Sequence, residues 1–239
     1  MKKHKQFFQL LDVIPIDIIE EILKHFSEAT GVNSMLIDHQ GNPLVHFYKF
    51  IPFCEKLRKY PEGGHGCMKS DAYAGLEAFH SGKPYIYRCH MGIVDLAVPI
   101  TINGQYLGAI MSGQLTVEKE NLKNLDYITE PCLNVEDYPD LHKLYMSIEQ
   151  TLPVIPLKKL EAYSRLLYTC TNYIAEVGYK RIIQKQLSDQ EVLVLQKTAA
   201  NAELEKSLVQ LELKNMQSQM NPHFIFNTLN SINQQAILE

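Results

Sequence analysis

Nowhere does this sequence hold the roughly 18 consecutive apolar residues that a membrane-spanning helix requires. The basic opening Met1-Lys2-Lys3-His4-Lys5 leads to Asp12, Pro15, Asp17, Glu20 and Glu21 instead of an apolar h-region, so no signal peptide is read and the expected location is the cytoplasm. Positive charge is also scarce. Lys and Arg total 23 against 27 acidic residues, the formal net charge is -4, and no long basic arm offsets it, which argues against nucleic acid as a partner. Cysteine is limited to five irregularly spaced residues, an odd number, which speaks for reduced thiols over a disulfide framework and leaves metal ligation open. From Arg181 to Met220 there is neither proline nor glycine, so nothing in that stretch dictates a turn.

What is present is ordinary globular material. Hydrophobic residues make up 46% and charged residues 21% of 239, enough for one sizeable core and an appendage. Ile18, Ile19, Ile22, Leu23 and Phe26 recur at helical spacing over Asp17 to Ala29, with Gly31 as a stop. Ser34 to Asp38 and Leu44 to Tyr48 read as strands around the turn His39 to Pro43. Cys67 to Ser81 reads as a helix ended by Gly82, and strands follow at Tyr85 to Cys89, Ile93 to Ile100 and, after the hairpin signal Asn103-Gly104, Tyr106 to Leu115. Helix, hairpin, helix and meander in that order predict an α+β domain with one antiparallel sheet, of a PAS-like or GAF-like kind.

Beyond Leu115 the pattern is helical, with Tyr138 to Leu152 and Leu157 to Val177 as elements separated by Pro153 and Pro156. Arg181 to Met220 reads as one long helix. Leu187, Val194 and Leu208 at one core position and Ile183, Leu204 and Leu211 at the other give a heptad seam, interrupted by Gln190, Lys197, Asn201 and Asn215, so a weak coiled coil and a homodimer are expected. A solvated single helix is the bland alternative. The resulting division is a sensory domain over 1–178, a helical linker over 179–219 and the start of a further region over 220–239.

The segment Gln217 to Ile232, with its core Pro222-His223-Phe224-x-Phe226-Asn227-x-Leu229-Asn230, resembles the histidine box of the LytS/YehU family of sensor kinases. The resemblance implies that His223 accepts the γ-phosphoryl group of ATP and passes it to an aspartate on a response regulator. A neutral imidazole nitrogen is a competent nucleophile near neutral pH, and Asn227, one turn on, is placed to orient the ring. Phe224, Leu229 and Ile232 are expected to bury against a partner helix. No glycine-rich ATP lid, nucleotide-binding helix or Mg²⁺-binding set is found, so the chain is expected to be part of a longer kinase that uses ATP and Mg²⁺, with no cofactor of its own.

In the first part of the chain, Phe53 to Leu57, Gly66 to Asp71, Gly82 to Tyr85, Tyr87 to Gly92, Asp95 to Ile100 and Gly113-Gln114 resemble the PocR sensory domain. That resemblance implies a PAS-like module that senses small hydrocarbon derivatives such as diols. Polar candidates for orienting such a ligand are Arg88, His90, Asp95 and Gln114, against Phe53, Tyr85, Tyr87 and Met111. Arg88 and Asp95 fit a structural ion pair equally well, and Tyr87 fits a core position. Cys54, Cys67 and Cys89 are read as thiols lining the pocket; with His90 they form the alternative, a metal- or redox-sensing set. Cys132 and Cys170 are expected in the core. A Cys89-His90 catalytic pair is disfavoured because adjacent strand residues point to opposite faces.

Overall fold

The computed structural model describes residues 8–47, 50–219 and 222–237. The basic N-terminal residues, Tyr48, Met220 and Asn221 lie outside them. After a single turn, α1 (Leu10–Val13), the chain forms α2 (Ile16–Thr30), which buries Ile19, Leu23 and Phe26 on one side and ends at Gly31 in the left-handed conformation. Strands β1 (Asn33–Asp38) and β2 (Pro43–Phe47) follow, then α3 (Pro52–Leu57) and α4 (Pro61–Ser81), each opened by a proline in its first turn. Strands β3 (Tyr85–Arg88), β4 (Val94–Ile102) and β5 (Gln105–Leu115) complete an antiparallel five-stranded sheet in the order β2-β1-β5-β4-β3. This is the expected α+β, PAS-like arrangement.

Alternation along the strands sorts side chains to two faces. On one, Leu36, Leu96, Val98 and Ile110 pack with Ile19 and Leu23 of α2 and with Leu160, Leu167 and Ala175 of the long helix α8 (Leu157–Gln219). On the other, Met35, Ile37, Tyr87, Ala97 and Met111 meet Ala74 and Ala78 of α4. Beside this second face, Phe53 and Leu57 of α3 pack with Leu141 and Ile148 from α6 (Pro139–Met146) and α7 (Ile148–Thr151). Each fully buried branched or aromatic side chain contributes about 1.5–3 kcal/mol relative to exposure.

The helices depart from expectation in three ways. α4 begins at Pro61 and not at Cys67, because its glycine-rich first turns are packed against neighbours. The helix expected over Tyr138 to Leu152 is split at Ser147, whose hydroxyl donates to the Leu144 carbonyl at 2.8 Å. The helices expected over Leu157 to Val177 and Arg181 to Met220 are one helix. Gly178 does not interrupt it: a Cβ there would overlap the Val13 carbonyl, so the glycine serves the close approach of α1. A short helix, α5 (Lys119–Leu122), follows the sheet.

One compact unit runs to Ile182 and a second comprises residues 183–239. In the second unit Leu187, Val194, Leu204, Leu208 and Leu211 are each at least 52% exposed. It ends in α9 (Pro222–Ile237), which restarts at Pro222. Among the described residues no helix is long and apolar enough to cross a membrane.

Candidate functional site

The sheet face toward α3 and α4 does not close completely. The cross-strand row Asn33, Gly113, Asp95, Tyr87 runs over β1, β5, β4 and β3, and beside it lies a cavity of about 40 Å³. At about 10–15 Å³ per water, that is room for a few waters or a molecule of a few heavy atoms. Met35, Met111, Asp95, Gly113 and Gln114 form the sheet side; Cys54, Arg58, Cys67, Ser70 and Asp71 come from α3, α4 and their flanks; Cys89, His90 and Ile93 come from the β3–β4 connection.

Gly113 makes the space. A Cβ there would overlap the Asp95 carboxyl. The next residue, Gln114, is the extra residue of a β-bulge, since Asp95 pairs with Gly113 and Val94 with Leu115. It adopts φ +60°, a left-handed conformation that costs a non-glycine residue about 1–2 kcal/mol. The bulge lets both Gly113 and Gln114 line the cavity, and the Gln114 side-chain oxygen accepts from the Ile51 amide at 2.6 Å, fixing the chain that leads into α3.

Arg58 and Asp71 form a largely buried ion pair at 3.2 Å, and the guanidinium lies 4.5 Å over the Phe50 ring. Burial raises the Asp71 carboxyl to about 6 despite the opposing pull of Arg58, so the pair does not fully offset desolvation. Asp95 is pushed well above the carboxylate range by burial and by Asp71, with Arg58 opposing. Although deep in the fold, it keeps accessible surface because it faces the cavity. Burial also pushes the Cys67 and Cys89 thiols up to about 12 and Cys54 well above its usual value, so all three are neutral thiols. His90 is lowered to about 4 by burial and then by Arg58; its Nε2 is 3.5 Å from Cys67 Sγ and its Nδ1 3.3 Å from Cys132 Sγ.

Of the residues singled out from sequence, Cys54, Cys67, Cys89, His90, Asp95, Met111 and Gln114 meet at this cavity. Phe53, Tyr85, Tyr87 and Arg88 do not line it. Phe53 turns to Tyr145, with ring centroids 5.3 Å apart, in the cluster beside α6. Tyr85 and Tyr87 share one side of β3, stacked at 5.9 Å, within the core against α4. Arg88 points away from Tyr87 by strand alternation; it neither pairs with Asp95 nor reaches the cavity, but donates to the Leu125 carbonyl at 2.7 Å and lies 4.0 Å over Tyr127, holding that loop on the sheet edge. Cys132, expected in the core, is exposed against His90, and Cys170 is partly buried. Sequence reasoning missed Asn33, Phe50, Arg58, Ser70 and Asp71. Asp71 had a readable signal, one helical turn after Cys67 and hence on the same side of α4. The described residues include no group of three or more His, Cys, Asp or Glu placed to hold a metal ion.

In the second unit His223 is exposed near the start of α9, with its Nδ1 3.1 Å from the Asn227 side-chain amide, an i, i+4 contact. Phe224, Phe226, Leu229 and Ile232 are all more than half exposed on this helix.

The first unit thus holds a small cavity beside an antiparallel sheet, and the second an exposed histidine on a helix. The chain belongs to the PocR sensory-domain family: residues 12–179 match the sensory domain found in PocR, and residues 211–239 match the histidine kinase family. The regulatory protein PocR of Salmonella typhimurium is 35% identical over 114 residues, covering 46% of this chain and 38% of that protein, so the similarity spans well under half of the relative's length. No solved structure matches the chain.

Proposed function

We propose that this chain is the sensory and phospho-acceptor part of a two-component histidine kinase, in which a small diol, alcohol or related hydrocarbon derivative in the cavity controls phosphorylation of His223. The observation that carries the reading is the cavity, sized for a few heavy atoms, in a chain whose C-terminal residues match the histidine kinase family. In a histidine kinase the phosphoryl donor is ATP with Mg²⁺, held by an ATP-binding domain. Asn227 Nδ2, 3.1 Å from His223 Nδ1, orients the ring, and the imidazole nitrogen that keeps its lone pair attacks the γ-phosphorus and displaces ADP. A response regulator then takes the phosphoryl group.

A route from the cavity to α8 supports this reading. Two residues past Gln114, the strand clamps the start of the long helix: Thr116 N donates to Pro153 O at 3.0 Å, Ile155 N to Thr116 O at 2.9 Å, and Leu157 N to Glu118 Oε2 at 3.0 Å. A ligand that favours one setting of the bulge biases this clamp and the helix it holds. The exposed column Leu187, Val194 and Leu208 with Leu204 and Leu211 then pairs with a second copy as a homodimer, its seam weakened by Gln190, Lys197 and Asn201.

A thermal-shift screen against small diols, alcohols, aldehydes and carboxylates, with and without chelator, tests the sensory half. A ligand bound only by the folded state raises the melting temperature, and a melting temperature that collapses with chelator would instead favour the metal-sensing set Cys54, Cys67, Cys89 and His90. The catalytic half is tested in the full-length kinase, where His223→Gln abolishes phosphoryl incorporation from ATP; retained incorporation would sink the assignment.

A further inference from the structure

Two carboxyls and one guanidinium share the cavity. Arg58 pairs with Asp71 through Nη2 at 3.2 Å and lies over the face of Phe50, its Nε making no hydrogen bond among the described residues. Asp95 has no such counterpart: among the described residues it makes no ion pair and no side-chain hydrogen bond with another side chain, and no lysine or second arginine lines the wall. The remaining basic side chain, His90, is held between the Cys67 and Cys132 sulfurs. The other titratable groups around Asp95 are Tyr87 from β3, Asp71 and Cys67 from α4, Cys54 from α3 and Cys89 after β3, and none of these is a cation. Gly113, where a Cβ would overlap the carboxyl, makes room for Asp95 itself.

Resting on the reading of this cavity as the ligand site, we propose that its ligand carries a cationic nitrogen, as in a small protonated amine or amino alcohol, with the ammonium against Asp95. With both carboxylates ionised, Arg58, Asp71 and Asp95 leave one negative charge in excess, and a monocation brings the cavity to neutrality. Without that cation, burial and Asp71 favour a proton on Asp95. Binding exchanges this proton for the ammonium: the carboxyl O–H is broken, its proton goes to solvent, and the carboxylate accepts hydrogen bonds from the ammonium N–H groups. Met35, Met111 and Ile93 accommodate a short carbon stem, and the volume of about 40 Å³ excludes a long one.

Calorimetry on the full chain at pH 7 compares 1-amino-2-propanol with 1,2-propanediol, which differ by an ammonium in place of a hydroxyl. The amino alcohol is expected to bind at least about tenfold more tightly, and Asp95→Asn to weaken it by at least about thirtyfold while changing diol binding by less than about threefold. Because Asp95→Asn risks misfolding, infrared difference spectra of the unmodified chain supply a second readout: the amino alcohol replaces the band of a protonated carboxyl by those of a carboxylate, and the diol does not. A diol that binds as tightly as the amino alcohol, or a protonated-carboxyl band that survives amine binding, overturns the proposal. If neither probe binds but another member of the thermal-shift panel does, the cationic-ligand proposal falls and the sensory cavity stands; if nothing binds, both fall.

Discussion

On one face of the sheet Leu36, Leu96, Val98 and Ile110 are sealed under α2 and α8 by apolar contacts; on the other, the same strands present Asp95, Gly113 and Gln114 to a cavity with Arg58 and Asp71 across it. The first face follows from period-two burial of apolar side chains and needs no special conformation. The second holds a buried ion pair, a carboxyl without a counter-charge and a non-glycine residue at positive φ. Such departures from local rules concentrate where a protein binds or switches. Stability resides on the closed face, and the open one carries the groups that cost it.

The hardest test of that contrast is to damage each face in turn. Leu96→Ala or Ile110→Ala on the closed face is expected to cost about 2–5 kcal/mol in urea unfolding, because the cavity left behind adds to the lost transfer energy. Ligand affinity of the surviving folded protein stays unchanged. Arg58→Met strands the Asp71 carboxylate and is expected to cost about 3–5 kcal/mol at pH 8, less at pH 5 where Asp71 takes up a proton. An equal penalty at both pH values would count against the pairing.

Gly113→Ala is expected to cost about 1–3 kcal/mol by overpacking against Asp95 and to remove the ligand-induced rise in melting temperature. The pH dependence of stability has a definite sign. Asp71 is raised from 3.8 to about 6 on folding, so its neutral form favours the native state: the contribution is complete below about pH 4, is lost as pH rises through about 6, and amounts to on the order of 1.4 kcal/mol per unit of displacement. Asp95, also raised by burial, acts in the same direction. Asp71→Asn should flatten the slope between about pH 4 and 6 in denaturant titrations; a slope that persists there would place its origin elsewhere. The smallest effect is expected for Gln114→Gly, where relief of left-handed strain of about 1–2 kcal/mol offsets loss of the bond to the Ile51 amide, worth about 1 kcal/mol. Melting temperature then barely moves while the ligand response declines.

The closed face was legible in the sequence because Ile19, Leu23 and Phe26 repeat at helical spacing and the apolar runs of β4 and β5 are bounded by Asn103-Gly104. The cavity was legible only in part. Cys54, Cys67, Cys89, His90 and Asp95 stood out by residue type, but a chemistry-bearing residue carries no mark of the face it will occupy, so Arg88 and Phe53 were grouped with them. Arg58 was invisible because its role depends on the meeting of the α3 end with α4, and the register shift at Gln114 leaves no trace in alternation. The unbroken α8, expected as two helices, was hidden for a similar reason, since the packing of Gly178 against α1 has no local signal.

The bulge at Gln114 also separates chain length from pattern. Gly113 pairs with Asp95 and Leu115 with Val94, so removal of Gln114 would leave those two pairings adjacent and Leu115 still directed to the apolar face. The residue is thus an insertion that the hydrophobic frame does not register. A site built this way can gain or lose one polar wall group by a single codon of length, with every strand partner downstream unchanged.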